Sequence, residues 1–370
     1  MLGIPEIADT GWRASKSGPL KDNIYPNSAI HNPILTKDPI MKFSLSVAVG
    51  NYDRTRALVD GRVRIDGVNP AFMTLSPEEM FFRAFRHADF DITELSLASY
   101  AVSLANDANE YTALPIFLSR AFRHSSIYVT HESGIQKPEQ MRGKRIGIAE
   151  YQLTANVWAR ALLEDDYGVS PSEIVWVRGG MDAPVRPEKL RLDLPSDVRV
   201  EAVRPGETLN LLLTQGAIDG FIGPRAPRCF FENDSKIARL FDDSITVGLD
   251  YFKRTGIFPI MHVLGVRKSL LEQHPFLSQA LIKAFSEAKH IAEAELADTS
   301  ATKVTMPFVE DHLDRIKDLM GSDFWSYGLD DANRHNLQTF LDHHHRQGLS
   351  SRSLKADELF PVNSVEAFSL

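Results

Sequence analysis

The chain has 370 residues, of which 43% are hydrophobic and 24% charged, and it carries a formal charge of -8. That is enough apolar material for two lobes with cores of their own, and it excludes a disordered or fibrous chain. The acidic balance and the lack of a basic block argue against a nucleic-acid partner, Cys229 as the only cysteine excludes an intrachain disulfide and a thiolate metal cluster, and no run of about twenty apolar residues could span a membrane.

The first forty residues are rich in Gly, Pro, Ser, Asn and charge, with no basic start followed by an apolar run, so no export signal is read there and the cytoplasm is the expected compartment. They are expected to form a flexible or oligomer-forming extension. Phe43, Leu45, Val47 and Val49 alternate as in a strand. The strand breaks at Gly50 into Tyr52-Asp53-Arg54-Thr55-Arg56, which leads into a short helix ending near Asp60-Gly61. A strand that delivers two arginines, a carboxylate and a phenol to its carboxyl end is building a polar ligand site. Met80, Phe81, Ala84 and Phe85 have helical spacing over Pro77 to Arg86, and Phe90 to Ser99 returns as strand and turn. A third strand is predicted at Ala113 to Leu118, with Arg120, Arg123 and His124 behind it, and Ser126 to Thr130 reads as a connecting strand.

A basic turn at Met141 to Arg145 feeds a short strand ending near Glu150-Tyr151, followed by a helix over Gln152 to Tyr167 with Thr154 as its expected cap. The amino end of that helix favours an anion. Strands at Ile174 to Val177, Val198 to Ala202 and Ile218 to Ile222, with a helix around Thr208 to Gln215, complete a second α/β unit. The stiff loop Gly223-Pro224-Arg225-Ala226-Pro227-Arg228 projects two more arginines. Gly256 to Val266 reads as the returning strand, a long amphipathic helix begins at Pro275, and the remaining carboxyl-terminal part is mostly helical and a candidate interface for a homo-oligomer. Cys229 is read as a quiet, partly buried thiol, and His343-His344-His345 as a solvated helix face, because consecutive helical residues point in different directions.

A first lobe interrupted by a second, then completed by a returning strand and helices, resembles the bilobal type 2 periplasmic-binding-protein-like fold, an α/β architecture with a ligand cleft between lobes. The phrase Arg142-Gly143-Lys144-Arg145-Ile146-Gly147-Ile148 is similar to the entry into its second lobe. On this reading residues 1–40 are the extension, 41–135 together with 257–370 form lobe 1, and 136–256 form lobe 2. Tyr52-Asp53-Arg54-Thr55 with Asp60-Gly61-Arg62-Val63, Glu94-Leu95-Ser96-Leu97, Phe122 to Val129, Gly223 to Pro227 and Thr255 to His262 together resemble the 4,5-dihydroxyphthalate decarboxylase family. Asp323 to Gly328 and Gln347 to Arg352 fit it as well, and the resemblance runs from about Met41 to Phe360.

The resemblance implies loss of one carboxylate from 4,5-dihydroxyphthalate to give protocatechuate, in bacterial phthalate breakdown. Each carboxylate of that substrate is para to a hydroxyl. Protonating the ring carbon that bears the departing group therefore gives a dienone from which carbon dioxide can leave, and no cofactor is expected because the ring is its own electron sink. A divalent metal is left open, since vicinal phenolic oxygens chelate readily. Arg54, Arg123 and Arg225 are the candidates to grip the carboxylates of a small aromatic dicarboxylate. His124 and His262 are the candidates for proton transfer, with Glu94 or Glu150 to orient or accept. Tyr52, Tyr151 and Thr154 are candidates to bind substrate oxygens. The competing functions are a solute-binding protein or sensor for an aromatic carboxylate, and a decarboxylase of a related hydroxybenzoate.

Overall fold

The alternation of Phe43–Val49 (β1) buries Leu45, Val47 and Val49, and the strand runs directly into the helix Asp53–Val59 (α1). The computed structural model describes residues 43–184, 187–232 and 235–361, all within the unit Met41–Leu370. The expected extension, residues 1–40, lies outside the described residues. Val68–Thr74 (β2) was not anticipated: Pro70 interrupts its strand signal, and the structure resolves the conflict by placing it at the sheet edge, where a missing amide costs little. Pro77–His87 (α2) is capped by Ser76, whose hydroxyl accepts from the Glu79 amide, and has Pro77 in its first turn. Ile92–Ser96 (β3) is buried throughout and passes without a loop into Leu97–Ala105 (α3). Tyr111–Arg120 (β4) closes the first half.

Ile127–Thr130 (β5), Arg145–Ile148 (β6), Thr154–Tyr167 (α4), Val175–Arg178 (β7), Arg199–Ala202 (β8), Leu209–Thr214 (α5) and Gly220–Ile222 (β9) follow the predicted order. Ile237–Arg239 (β10) and Ser244–Thr255 (α6) add an edge strand and a covering helix. Ile260–Arg267 (β11) then returns, and Lys268–Gln273 (α7), Leu277–Ala297 (α8), Val309–Met320 (α9) and Asp331–Arg346 (α10) complete the chain.

Two sheets result, ordered β2-β1-β3-β11-β4 and β10-β5-β9-β6-β7-β8. In the first, β1 is parallel to β2 and β3, while β11 is inserted antiparallel between β3 and β4, with His262 opposite Ser96. The returning strand thus stitches the end of the chain into its beginning, giving the bilobal α/β architecture of the type 2 periplasmic-binding-protein-like fold. The sequence reading kept Ser126 to Thr130 in the first lobe. As β5, however, it pairs with β9 and β10, so the chain reaches the second sheet directly after β4 rather than at residue 136. The principal core includes Val47, Phe117, Trp158, Trp176 and Phe340, and a smaller cluster surrounds Leu209, Leu213 and Phe221.

Of the triple histidine only His345 is exposed, so the expected solvated face holds for one residue of the three. His343 and His344 are 1% and 0% exposed, because α10 packs on α4 through the stripe Leu337, Phe340, Leu341 and His344. His344 bonds Ser350 Oγ at 3.2 Å and the Ala98 carbonyl at 3.1 Å. Burial pushes its pKa down to about 3.

Candidate active site

The carboxyl end of β1 and the turn into α1 are built to hold one carboxylate. A β-carbon on Gly50 would lie 2.2 Å from Tyr52 Cζ, so glycine is what allows the phenol to fold back over the turn. Thr55, fully buried, locks that turn by donating to the Gly50 carbonyl at 2.9 Å and accepting from the Tyr52 amide at 3.2 Å. The turn delivers two donors to Glu94 on β3, the Gly50 amide to Oε2 and the Tyr52 hydroxyl to Oε1, each at 2.9 Å. His262 reaches diagonally across the ladder from β11 and brings Nδ1 to 2.6 Å from Glu94 Oε1.

Burial by itself would raise the pKa of Glu94. The hydrogen bond and charge of His262, with the Gly50 amide and Tyr52 hydroxyl, outweigh it and hold the carboxyl below its ordinary value. An ionised carboxylate only accepts, so the hydrogen in the contact with His262 sits on Nδ1 and proton exchange falls to Nε2. The imidazole side chain is 16% exposed and that of Glu94 0%, so the histidine is the more accessible member of the pair. Phe81 fixes the ring edge-on, with centroids 4.8 Å apart. Burial first, then the charge of Glu94, raises the Tyr52 pKa, which keeps this phenol a donor.

The three candidate arginines separate by what they already hold. Arg54 is sandwiched between the rings of Tyr52 and Trp325, at 4.1 and 4.5 Å, with Nε and Nη2 on the Leu118 carbonyl and Nη1 on Asp53. Arg225 is exposed and pairs with Glu78 of α2 at 2.9 Å, joining the loop after β9 to the first lobe. The Arg123 side chain, partly buried, makes two weak hydrogen bonds among the described residues, Nε to Met261 Sδ at 3.2 Å and Nη1 to Ser126 Oγ at 3.5 Å. Burial pulls its guanidinium down to about 10, still charged at neutral pH. It has no carboxylate partner among the described residues and touches the residue next to His262.

Thr154 was expected to cap α4, but Leu153 occupies that position. The Thr154 hydroxyl is spent across the lobes, 3.0 Å from both Ser96 Oγ and the Ala98 amide. Glu150 is ion-paired with the buried Lys189, carried by the irregular segment after β7. Tyr151 is buried under Arg160, whose guanidinium lies 3.8 Å over its ring. His124 is 1% exposed and packs edge-on against Phe241 and Tyr251, with neither ring nitrogen hydrogen-bonded among the described residues. Burial, and then the charge of Arg254, push its pKa down to about 4. The structure therefore brings together Tyr52, Glu94 and His262, with Thr154 and Arg123 against their neighbours, and directs Glu150, Tyr151, His124 and Arg225 to other partners.

Ser96, Ser99, Gln152 and Asn156 were not read from the sequence as site residues. Ser96 joins Thr154, whereas Ser99 Oγ, both amide atoms of Gln152 and Asn156 Oδ1 are buried without a partner among the described residues. Their signal was positional: each lies at or just beyond the carboxyl end of a parallel strand, β3 or β6.

Glu164, Asp165 and His343 place one ligand atom each within 4.8 Å of one another. Arg346 lies 3.7 and 3.5 Å from the two carboxylates, so a guanidinium already pairs with that group and offsets part of its charge. A cavity of about 270 Å³ in the second lobe is lined by Tyr151, Arg178, Glu188 and aliphatic residues. Its arginine and glutamate pair with each other at 3.0 Å, so that charge is already matched, and the contact between Glu94 and His262 lies elsewhere.

A two-sheet α/β fold with a buried carboxylate against an imidazole and a partly buried arginine beside them has the groups needed to hold an anion and to move a proton. No family model matches the chain. It is 54% identical over 329 residues to a 4,5-dihydroxyphthalate decarboxylase of Comamonas testosteroni, covering 89% of this chain and 99% of that one. It is also 52% identical over 221 residues to a protein of the same name from Pseudomonas putida, covering 59% and 86%. Solved structures that resemble it include the periplasmic aliphatic sulphonate binding protein SsuA from Escherichia coli, at 12% identity and TM-score 0.49 over 88% of this chain and 93% of that one. The desulfurization enzyme DSZB gives 14% identity and the same TM-score, 0.49, over 86% and 96%. The chain belongs to the 4,5-dihydroxyphthalate decarboxylase family, a family of carboxy-lyases.

Proposed function

We propose that this protein removes one carboxylate from 4,5-dihydroxyphthalate, giving protocatechuate and carbon dioxide, with His262 as proton donor. The observation that carries the reading is the contact between Glu94 and His262, which fixes Nδ1–H on the carboxylate and leaves Nε2 for exchange. The imidazolium gives its Nε2 proton to the ring carbon that bears the departing carboxylate, while the para hydroxyl gives its proton to water and regains one once the carbon–carbon bond has broken. The carbon–carbon bond then breaks, its electron pair restores the aromatic ring, and carbon dioxide leaves. Glu94 stabilises the charged imidazole before transfer, and Tyr52 and the Gly50 amide keep Glu94 ionised and aimed. Arg123 takes the carboxylate that stays, because it is a partly buried cation without a carboxylate of its own among the described residues. The reaction so written uses no organic cofactor.

The test is to incubate the purified protein with 4,5-dihydroxyphthalate, with and without a chelator, and to follow protocatechuate by chromatography. Product formed in both reactions supports the scheme. Product lost on chelation reassigns Glu94 and His262 to metal ligation, and tight binding without product makes the protein a carrier or sensor.

A further inference from the structure

We infer that Gln152 contacts the substrate and reads its vicinal hydroxyl pair. Gln152 is 0% exposed, and neither its amide nitrogen nor its amide oxygen has a partner among the described residues. A buried amide left unpaired on both ends is costly, and native folds keep such a group where a ligand completes it. The loop that carries it is held on both sides. Asn156 Nδ2 donates to the Glu150 carbonyl at 2.9 Å, Arg160 Nη2 to the Tyr151 carbonyl at 2.8 Å, and Thr154 Oγ1 lies 3.0 Å from Ser96 Oγ, opposite His262 in the ladder.

Two further buried atoms without partners come from the same junction between the lobes. They are Ser99 Oγ in the first turn of α3 and Asn156 Oδ1 in the first turn of α4. The chemistry of the amide selects the group it takes. A carboxylate only accepts, so it would leave the amide oxygen of Gln152 facing another acceptor. A vicinal diol offers one O–H to that oxygen and one oxygen to the N–H. The match holds for either orientation of the amide, since each hydroxyl both donates and accepts. Gln152 is thus a specificity residue for the catechol edge, with the carboxylates left to cations.

The assignment rests on the dihydroxyphthalate reading of the site, and a binding test separates the two. Calorimetry with the full chain would compare protocatechuate with benzoate, which lacks both hydroxyls, in the wild type, Gln152→Met and Gln152→Leu. In the variants the preference for protocatechuate should fall at least about tenfold, with benzoate affinity held within about twofold. Their melting temperatures should rise, because an unpaired buried amide is replaced by an apolar group of similar volume. An unchanged preference, or a fall in melting temperature with both ligands weakened equally, would overturn the assignment and make Gln152 a structural residue. If the wild type turns over dihydroxyphthalate while the preference is unchanged, this inference alone fails. If the wild type neither turns it over nor binds either ligand, the functional reading fails with it.

Discussion

Lowering the pH from 7 to 5 should cost the fold about 2 kcal/mol through His124 alone. The imidazole packs against Phe241 and Tyr251 with neither nitrogen bonded among the described residues, and burial pushes its pKa from 6.5 down to about 4. A depressed value in the fold means that, between those two pKa values, the unfolded chain binds a proton that the native state refuses. Stability is therefore full above the unfolded value and is lost as the pH falls toward the folded one. At about 1.4 kcal/mol per pKa unit the complete loss is about 3 kcal/mol, most of it realised by pH 5. His124→Phe keeps the ring contacts and removes the titrating group without breaking a hydrogen bond, so at pH 7 it should unfold within about 1 kcal/mol of the wild type. Urea unfolding followed by tryptophan fluorescence at pH 7 and 5 should show the wild type losing about 2 kcal/mol more than the variant. Equal losses in the two proteins would refute the reasoning. The same variant should keep its turnover number within about threefold at pH 7, and a loss of the general acid–base size, about a hundredfold, would return His124 to proton transfer.

His262→Ala should lower kcat by about 10²- to 10⁴-fold with little change in KM, measured as protocatechuate release under saturating substrate. Arg123→Met should raise KM at least about tenfold while leaving kcat nearly intact, and the shift should be smaller for a monocarboxylate than for the dicarboxylate. Gly50→Ala drives a β-carbon into the Tyr52 ring and so moves the phenol off Glu94. Its kcat should fall with a near-wild-type melting temperature, whereas an unchanged kcat would show that Tyr52 plays no part in aiming the carboxylate.

Much of the fold was legible in the chain because it rests on local signals. The alternation of β1, the Ser76–Pro77 start of α2 and the long apolar stripe of α8 each specify their element within a few residues. The motif Tyr52-Asp53-Arg54-Thr55 marked the turn whose phenol meets Glu94, and the resemblance carried by scattered motifs reached the family. Tertiary structure alone decided which side chains are spoken for. Arg54, Arg123 and Arg225 look alike in sequence, yet ring stacking and a carbonyl occupy the first, an ion pair the third, and neither the second. His124 and His262 are separated in the same way, by whether a strand brings a carboxylate or two aromatic rings to the imidazole. Periodicity records which face of an element is apolar. Which buried polar atom meets a partner depends on residues 44 to 168 positions apart, as in the contacts of Gly50 and His262 with Glu94, and that pairing exists only once the sheets are assembled.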